Sequence, residues 1–194
     1  MNTYLTEWAA MPSRVVPREF ELSSLGDESF LLMGEKSMSQ VVIRRATPDD
    51  VEGILPLWNE LMDYHAALDV RFQPAPGAEE SWTDFLLDLL QDDDACVLVA
   101  DARDKLVGFI MGLVRENLPV LLPSKYGLVT DICVDPGWRR QDIGRRLFEA
   151  LKDWFRKKEL FTVQLDVAHF NPVSQAFWRA MGCGDFLDRL WFEL

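Results

Sequence analysis

The sequence predicts a mixed α/β domain with a single central sheet flanked by helices. Three observations lead there. Apolar, β-rich runs recur between residues 40 and 194, segments with apolar residues at helical spacing alternate with them, and turn-forming residues stand at the junctions. A chain of 194 residues is long enough for one domain with a full core.

Residues 1–39 carry no sustained period, and Pro12, Pro17, Gly26 and Gly34 are scattered through them. They read as an N-terminal extension, poorly ordered or partly docked, before a domain at 40–194. Residues 41–46 form the first expected strand. Thr47 then caps a helix, Pro48 fits its first turn, and Asp49 and Asp50 face the positive end of its dipole. Val51, Ile54, Leu55, Leu57, Trp58, Leu61 and Met62 give that helix its buried stripe. Two prolines and a glycine within 73–78 predict a loop, followed by a second helix over 79–90.

Residues 96–100 and 106–114 read as strands joined by the turn Asp101-Ala102-Arg103-Asp104. A connection bearing Pro119 and Pro123 leads to a strand at 127–134. Ile143, Leu147, Phe148, Leu151, Trp154 and Phe155 recur at helical spacing and mark a third helix. A strand at 160–167, a helix at 171–181 and a last strand at 186–194 complete the order β-α-α-β-β-β-α-β-α-β.

No apolar run reaches the roughly 18 residues of a membrane helix, and the first thirty residues lack the basic and apolar parts of a secretory signal. Cys96, Cys133 and Cys183 are odd in number, widely spaced and without a C-x-x-C pair. That argues against a disulfide framework or a metal site and for a reducing, cytoplasmic location. A net charge of −12 excludes general binding to nucleic acid or anionic membrane, since both need a positive surface. The same charge suits a cationic substrate, or serves solubility alone. Basic residues are unevenly spread, however: 8 of the 20 lie between Arg139 and Lys158. Such an island on an acidic chain asks for an anionic ligand at that place.

The densest signal is VTDICVDPGWRRQDIGRRL, residues 129–147. A buried strand ends at Val134, Asp135-Pro136-Gly137 turns the chain, and a glycine-containing loop enters an amphipathic helix. This junction offers free backbone N–H groups and the positive end of a helix dipole, both suited to phosphate, with arginines to add charge-assisted contacts. A solvated basic helix start after an ordinary turn would leave the same residues.

The segment resembles the acetyl-CoA motif of the GNAT superfamily, V-x-P-x-x-(R/Q)-x-x-G-x-(G/A). Val134, Pro136, Arg139 and Gly144 occupy its marked positions, while Asp142 stands where the family has its first glycine. A second landmark, N-x-x-(A/S)-x-x-F-(Y/W)-x-x-x-G, is met by Asn171, Ser174, Phe177, Trp178 and Gly182. The resemblance spans residues 41–194 and implies a GNAT-type fold and an acyl-CoA-dependent N-acyltransferase. Its reaction would move an acetyl group from acetyl-CoA, as cosubstrate, to a primary amine of a small molecule or protein.

By the same resemblance, backbone groups of Ile132, Cys133 and Val134 would pair with the pantetheine arm like an added strand. The Val134 amide would face the thioester oxygen. The loop Arg139, Arg140, Gln141, Asp142, Ile143, Gly144 and Arg145 would hold the pyrophosphate. Asn171 would contact the cofactor arm, and Trp178 would lie near the departing sulfur. An alkyl ammonium, with pKa about 10.4, must lose a proton before attack, and the CoA thiolate must regain one. The chain departs from the family at both proton sites: Thr130 stands where polyamine-type relatives carry a glutamate, and Trp178 where a tyrosine is usual. Asp131 is therefore the expected base, and solvent the expected source of the returning proton. Tyr64 and His65, at the end of the first helix, are the expected acceptor contacts. Leu118, Val120, Leu121 and Leu122 leave three assignments open: the acceptor wall, a homodimer contact, or core cover.

Asp142 sets a sharper expectation. A carboxylate about 4 Å from a phosphate charge would cost up to roughly 4 kcal/mol at an effective dielectric near 20, so its side chain should turn away, toward Arg145 or Arg146. The competing function is an acyl-CoA-binding sensor of the same fold without turnover, an alternative that the irregular Asp142 and Trp178 keep open.

Overall fold

Short connections build the centre of the sheet as hairpins, while helices link the outer strands to this centre. A computed structural model describes residues 41–194 apart from position 104; the expected extension at 1–39 lies outside the described residues. Strands β1 (Val42–Arg45), β2 (Ala95–Asp101), β3 (Leu106–Glu116) and β4 (Lys125–Val134) pair antiparallel in that order. A fifth, β5 (Val163–Leu165), joins β4 in parallel at Gly127–Val129. Parallel entry needs a crossover, and helix α3 (Ile143–Lys157) supplies it.

Side-chain alternation along β2 sorts the core into two layers. Val97 and Val99 join Phe109, Met111 and Cys133 beneath helices α1 (Val51–Leu68) and α2 (Ala78–Gln91). Cys96 and Leu98 face the other way, with Ile110 and Val129, onto Leu147, Leu151 and Phe155 of α3. The indoles of Trp58 and Trp82 stack at 4.7 Å and clamp α1 to α2. Gly127 explains how closely α3 approaches the sheet: a Cβ there would stand 2.7 Å from the Phe155 ring.

The start of α1 is fixed by charge. Pro48–Asp50 form a single 3₁₀ turn, and the buried Asp50 carboxylate accepts from Thr47 N at 2.8 Å. Arg44 on β1 donates to both Asp50 oxygens at 2.7 Å and reaches Asp101 on β2 at 2.8 Å. Thr47 stands at the N-cap as expected and forms a capping box with Asp50, whose Oδ2 also accepts from the Thr47 hydroxyl at 3.0 Å.

Two expectations need correction. The strand expected at 160–167 pairs only over Val163–Leu165, because beyond that point β4 and β5 separate. The last strand, at 186–194, is not formed: the element order ends at helix α4 (Pro172–Ala180). Its apolar residues have strand propensity, but a strand also needs an edge to pair with. Here the tail meets the described residues through side chains, Arg189 to Asp166 at 2.9 Å and Trp191 beneath Arg71 at 5.9 Å. Leu190 stays 91% exposed.

Candidate active site

A one-residue bulge shapes the site. Met111 pairs with Asp131 and Gly112 with Val129, so Thr130 is left over in β4. Bulges of this kind re-aim the residues beyond them. Asp135 N–H donates to Val107 O at 3.0 Å, and antiparallel bonding alternates every two residues. Cys133 therefore spends its backbone groups across from Phe109, whereas Ile132 and Val134 turn theirs to the opposite edge. That edge is open, because β5 has already diverged. Of the three residues expected to offer backbone to a pantetheine arm, Ile132 and Val134 are so placed and Cys133 is not. The Cys133 thiol is buried beneath α1, and burial, with Glu60 nearby, pushes its pKa up to about 12.

The same shift directs side chains. Ile132 and Val134 pack toward α3 and Cys133 toward α1 and α2, so alternation puts Asp131 on the α1 side beside Cys133. Asp131 is half-buried, and that burial raises its pKa above the usual carboxylate range, against a smaller lowering by the Thr130 hydroxyl.

Beyond Val134 the chain turns on Asp135, whose Oδ1 accepts from Gly137 N at 2.8 Å. Lys105 pairs with its other oxygen at 2.7 Å. Arg139 belongs to this scaffold more than to a ligand: its Nε donates to Val134 O at 2.9 Å and its guanidinium reaches Glu60 on α1 at 2.5 Å. Glu60 was not legible as a site residue, since nothing near it in sequence points to β4.

The loop then takes two left-handed residues, Arg140 at φ 59° and Asp142 at φ 61°. This is the conformation in which glycine is favoured and aspartate tolerated, which accounts for the glycine in the family motif. The Asp142 carboxylate accepts from Arg145 Nε at 2.9 Å and caps no amide of α3. The first α3 amides, from Ile143, Gly144 and Arg145, thus keep no intrahelical partner and no side-chain cap, the state in which a helix start takes an anion. Ile143 itself is buried as a core anchor, and Gln141 folds back to Gly137 O at 3.3 Å. A Cβ on Gly144 would lie 3.3 Å from Phe177, so that glycine also lets α4 pack on α3. Lys152 pairs with Glu149 and Arg156 with Asp153. The helical part of the basic island is therefore partly neutralised, away from the loop.

Asn171 is buried at the start of α4, where its Oδ1 accepts from Ser174 N at 2.9 Å. The Tyr64 hydroxyl, 107 residues away in sequence, donates to the same oxygen at 3.5 Å. His65 turns elsewhere: its ring lies 5.4 Å from Phe72, half-buried, and burial lowers its pKa. Trp178 is 5% exposed, its indole 5.0 Å from Phe148 and 4.9 Å from Phe177. It is a core residue of the α3 layer. Leu118, Val120, Leu121 and Leu122 are all exposed, which removes core cover as their assignment.

Residues 57–183 match the model of the Acetyltransferase (GNAT) family. L-2,4-diaminobutyric acid acetyltransferase of Halomonas elongata is 29% identical over 140 residues, which cover 72% of this chain. This chain spans only 62% of that relative's length. The fold matches the BH1408 protein of Bacillus halodurans, solved as a tetramutant, with a TM-score of 0.72 and 23% identity over 79% of this chain and 99% of that one. It also matches aminoglycoside N-acetyltransferase AAC(6')-Iy, solved in complex with CoA, with a TM-score of 0.64 and 19% identity over 79% and 94% of the two chains. Since the family model covers well over half of its length, this chain belongs to the GNAT acetyltransferase family.

Proposed function

We propose that this protein transfers an acetyl group from acetyl-CoA to a primary amine of a small cationic molecule. The observation that carries the reading is the β4 edge at Ile132 and Val134, left open by the bulge and leading into the uncapped start of α3. The fit to acetyl-CoA follows from chemistry. A pantetheine arm has amides that pair with a strand edge, and a pyrophosphate suits free helix-start amides beside Arg140 and Arg145. The amides of Ile132 and Val134 are the donors this edge offers to the thioester oxygen as charge gathers there.

Asp131 is the base in this reading. Its burial favours the protonated form, and a carboxylate of raised pKa takes a proton more readily than an ordinary one. The ammonium of the acceptor gives up its proton toward Asp131, directly or through one water, and the free amine attacks the thioester carbon. Support for a cationic acceptor comes from the charge of −12 and from the relatives, whose substrates carry several amines.

The test has two stages. Millimolar CoA should raise the melting temperature, because a ligand bound only by the folded state stabilises it. A panel including 2,4-diaminobutyrate, aminoglycosides and polyamines should then release free thiol from acetyl-CoA. No shift with CoA would sink the reading, and a shift without thiol release across the panel would leave a sensor of the same fold.

A further inference from the structure

We infer that Tyr64, on α1, returns the proton to the departing CoA thiolate, with Asn171 holding its hydroxyl at the mouth of the cleft between β4 and β5. The inference rests on the acetyl-transfer reading above and adds a residue to it.

The reaction needs such a donor. When the tetrahedral adduct collapses, its C–S bond breaks and the electron pair goes to sulfur. One proton must reach that sulfur to give CoA as a thiol. Trp178 cannot supply it, since an indole N–H is no useful acid and this one is packed between Phe148 and Phe177. The Cys133 thiol is buried and holds its proton too firmly.

Tyr64 meets three requirements at once. Its place is right: α1 spans the cleft, with Glu60 bonded to Arg139 at the end of β4 and Tyr64, one helical turn on, at the first residue of the α4 cap. Its partner is fixed: Asn171 is buried and bonded to Ser174 N at 2.9 Å, so the hydroxyl is aimed by a rigid post. Its own bond is slack. At 3.5 Å it is well beyond the usual 2.7–2.8 Å for O–H···O, and Tyr64 is 37% exposed. A donor that must swing to a leaving group is held in this way before substrate arrives, and tightens in the complex. In the step itself the O–H proton moves to sulfur, and the phenolate is reprotonated from water. Overall the acceptor nitrogen loses two protons, one from the ammonium through Asp131 and one from the tetrahedral adduct; sulfur gains one, and the other is released to water.

Other titratable groups lie on the elements packed here: Glu60 and His65 on α1, Asp131 and Cys133 on β4, Asp69 and Arg71 in the turn after α1, and His169 two residues before Asn171. The experiment separates Tyr64 from them. Site-specific 3-fluorotyrosine at position 64 makes only that phenol more acidic, and should move the alkaline limb of kcat to lower pH. Tyr64→Phe should abolish the limb and lower kcat at neutral pH by roughly 100-fold, with acetyl-CoA affinity by calorimetry nearly unchanged. A limb that stays in place in either variant overturns the inference while leaving acetyl transfer standing. A wild-type chain that binds no acetyl-CoA, or releases no thiol with any amine, overturns both.

Discussion

The Asp142 carboxylate lies 2.9 Å from Arg145 Nε, aligned with α3, while its own backbone holds the left-handed turn that starts the helix. Side chain and backbone are thus decoupled, the charge leaving the loop and the amides staying in it. Asp142→Gly should tighten acetyl-CoA binding by less than about tenfold, or 1.4 kcal/mol, and the gain should shrink with added salt. Asp142→Ala keeps the left-handed strain without the local bonding of aspartate, and should be less stable than the glycine variant by about 1 kcal/mol. Calorimetry at two ionic strengths and thermal melts check the pair. Weaker binding by the glycine variant would mean that the carboxylate helps build the loop.

Asp131 couples chemistry to stability with a definite sign. Burial raises its pKa in the folded state, so the folded chain holds this proton to higher pH than the unfolded chain does. Its contribution is therefore fully present below the unfolded pKa and is lost as pH rises through the folded one. Asp131→Asn should accordingly melt higher than wild type at neutral pH, and the difference should vanish on acidification. The same variant should lose the acidic limb of kcat, which in the wild type rises as Asp131 deprotonates. An unchanged acidic limb would remove Asp131 as the base.

Asp50 carries the opposite sign. The Arg44 guanidinium, helped by the Thr47 amide, holds its pKa at about 2 against the usual 3.8. That difference corresponds to about 2 kcal/mol, present above the unfolded pKa and lost as pH falls through the folded one. Asp50→Asn should be destabilised by about 2 kcal/mol at pH 7, converging with wild type in strong acid. Urea midpoints across the acid range measure it.

Trp178→Phe tests the core assignment. It should cost about 1–2 kcal/mol through a partly filled cavity under Phe148, without moving either limb of the rate profile. A lost alkaline limb in this variant would return the proton-donor role to position 178.

Most elements were legible, because each depends on a local pattern. The α3 stripe from Ile143 to Phe155 matches the observed helix, and the β2–β3 hairpin follows from its turn residues. The 186–194 tail was misread because alternation reports what a segment would form if paired, and pairing is a property of the rest of the molecule. In the site, the loop from Arg139 to Arg145 carried its signal in a compact motif. Glu60 carried none, and Tyr64 was legible only as an acceptor contact, not as the partner of Asn171. Their partners, Arg139 and Asn171, lie 79 and 107 residues away, and only the crossing of α1 over β4 brings them together. Trp178 was placed by motif position, which fixes where a residue stands in sequence and not which layer its ring enters.

The bulge at Thr130 acts on β4 as a one-residue insertion acts on a reading frame. Everything downstream keeps its identity and changes its partner: Ile132 and Val134 present backbone to the open edge, and Asp131 looks under α1. The constraint at this point therefore falls on register more than on chemistry. Many residues can stand at 130, because it has no partner on β3. If the bulge flattened and residue 130 paired with Met111, Asp131 would slip opposite Ile110 and turn into the α3 layer, and Cys133 would present its backbone where Val134 does now.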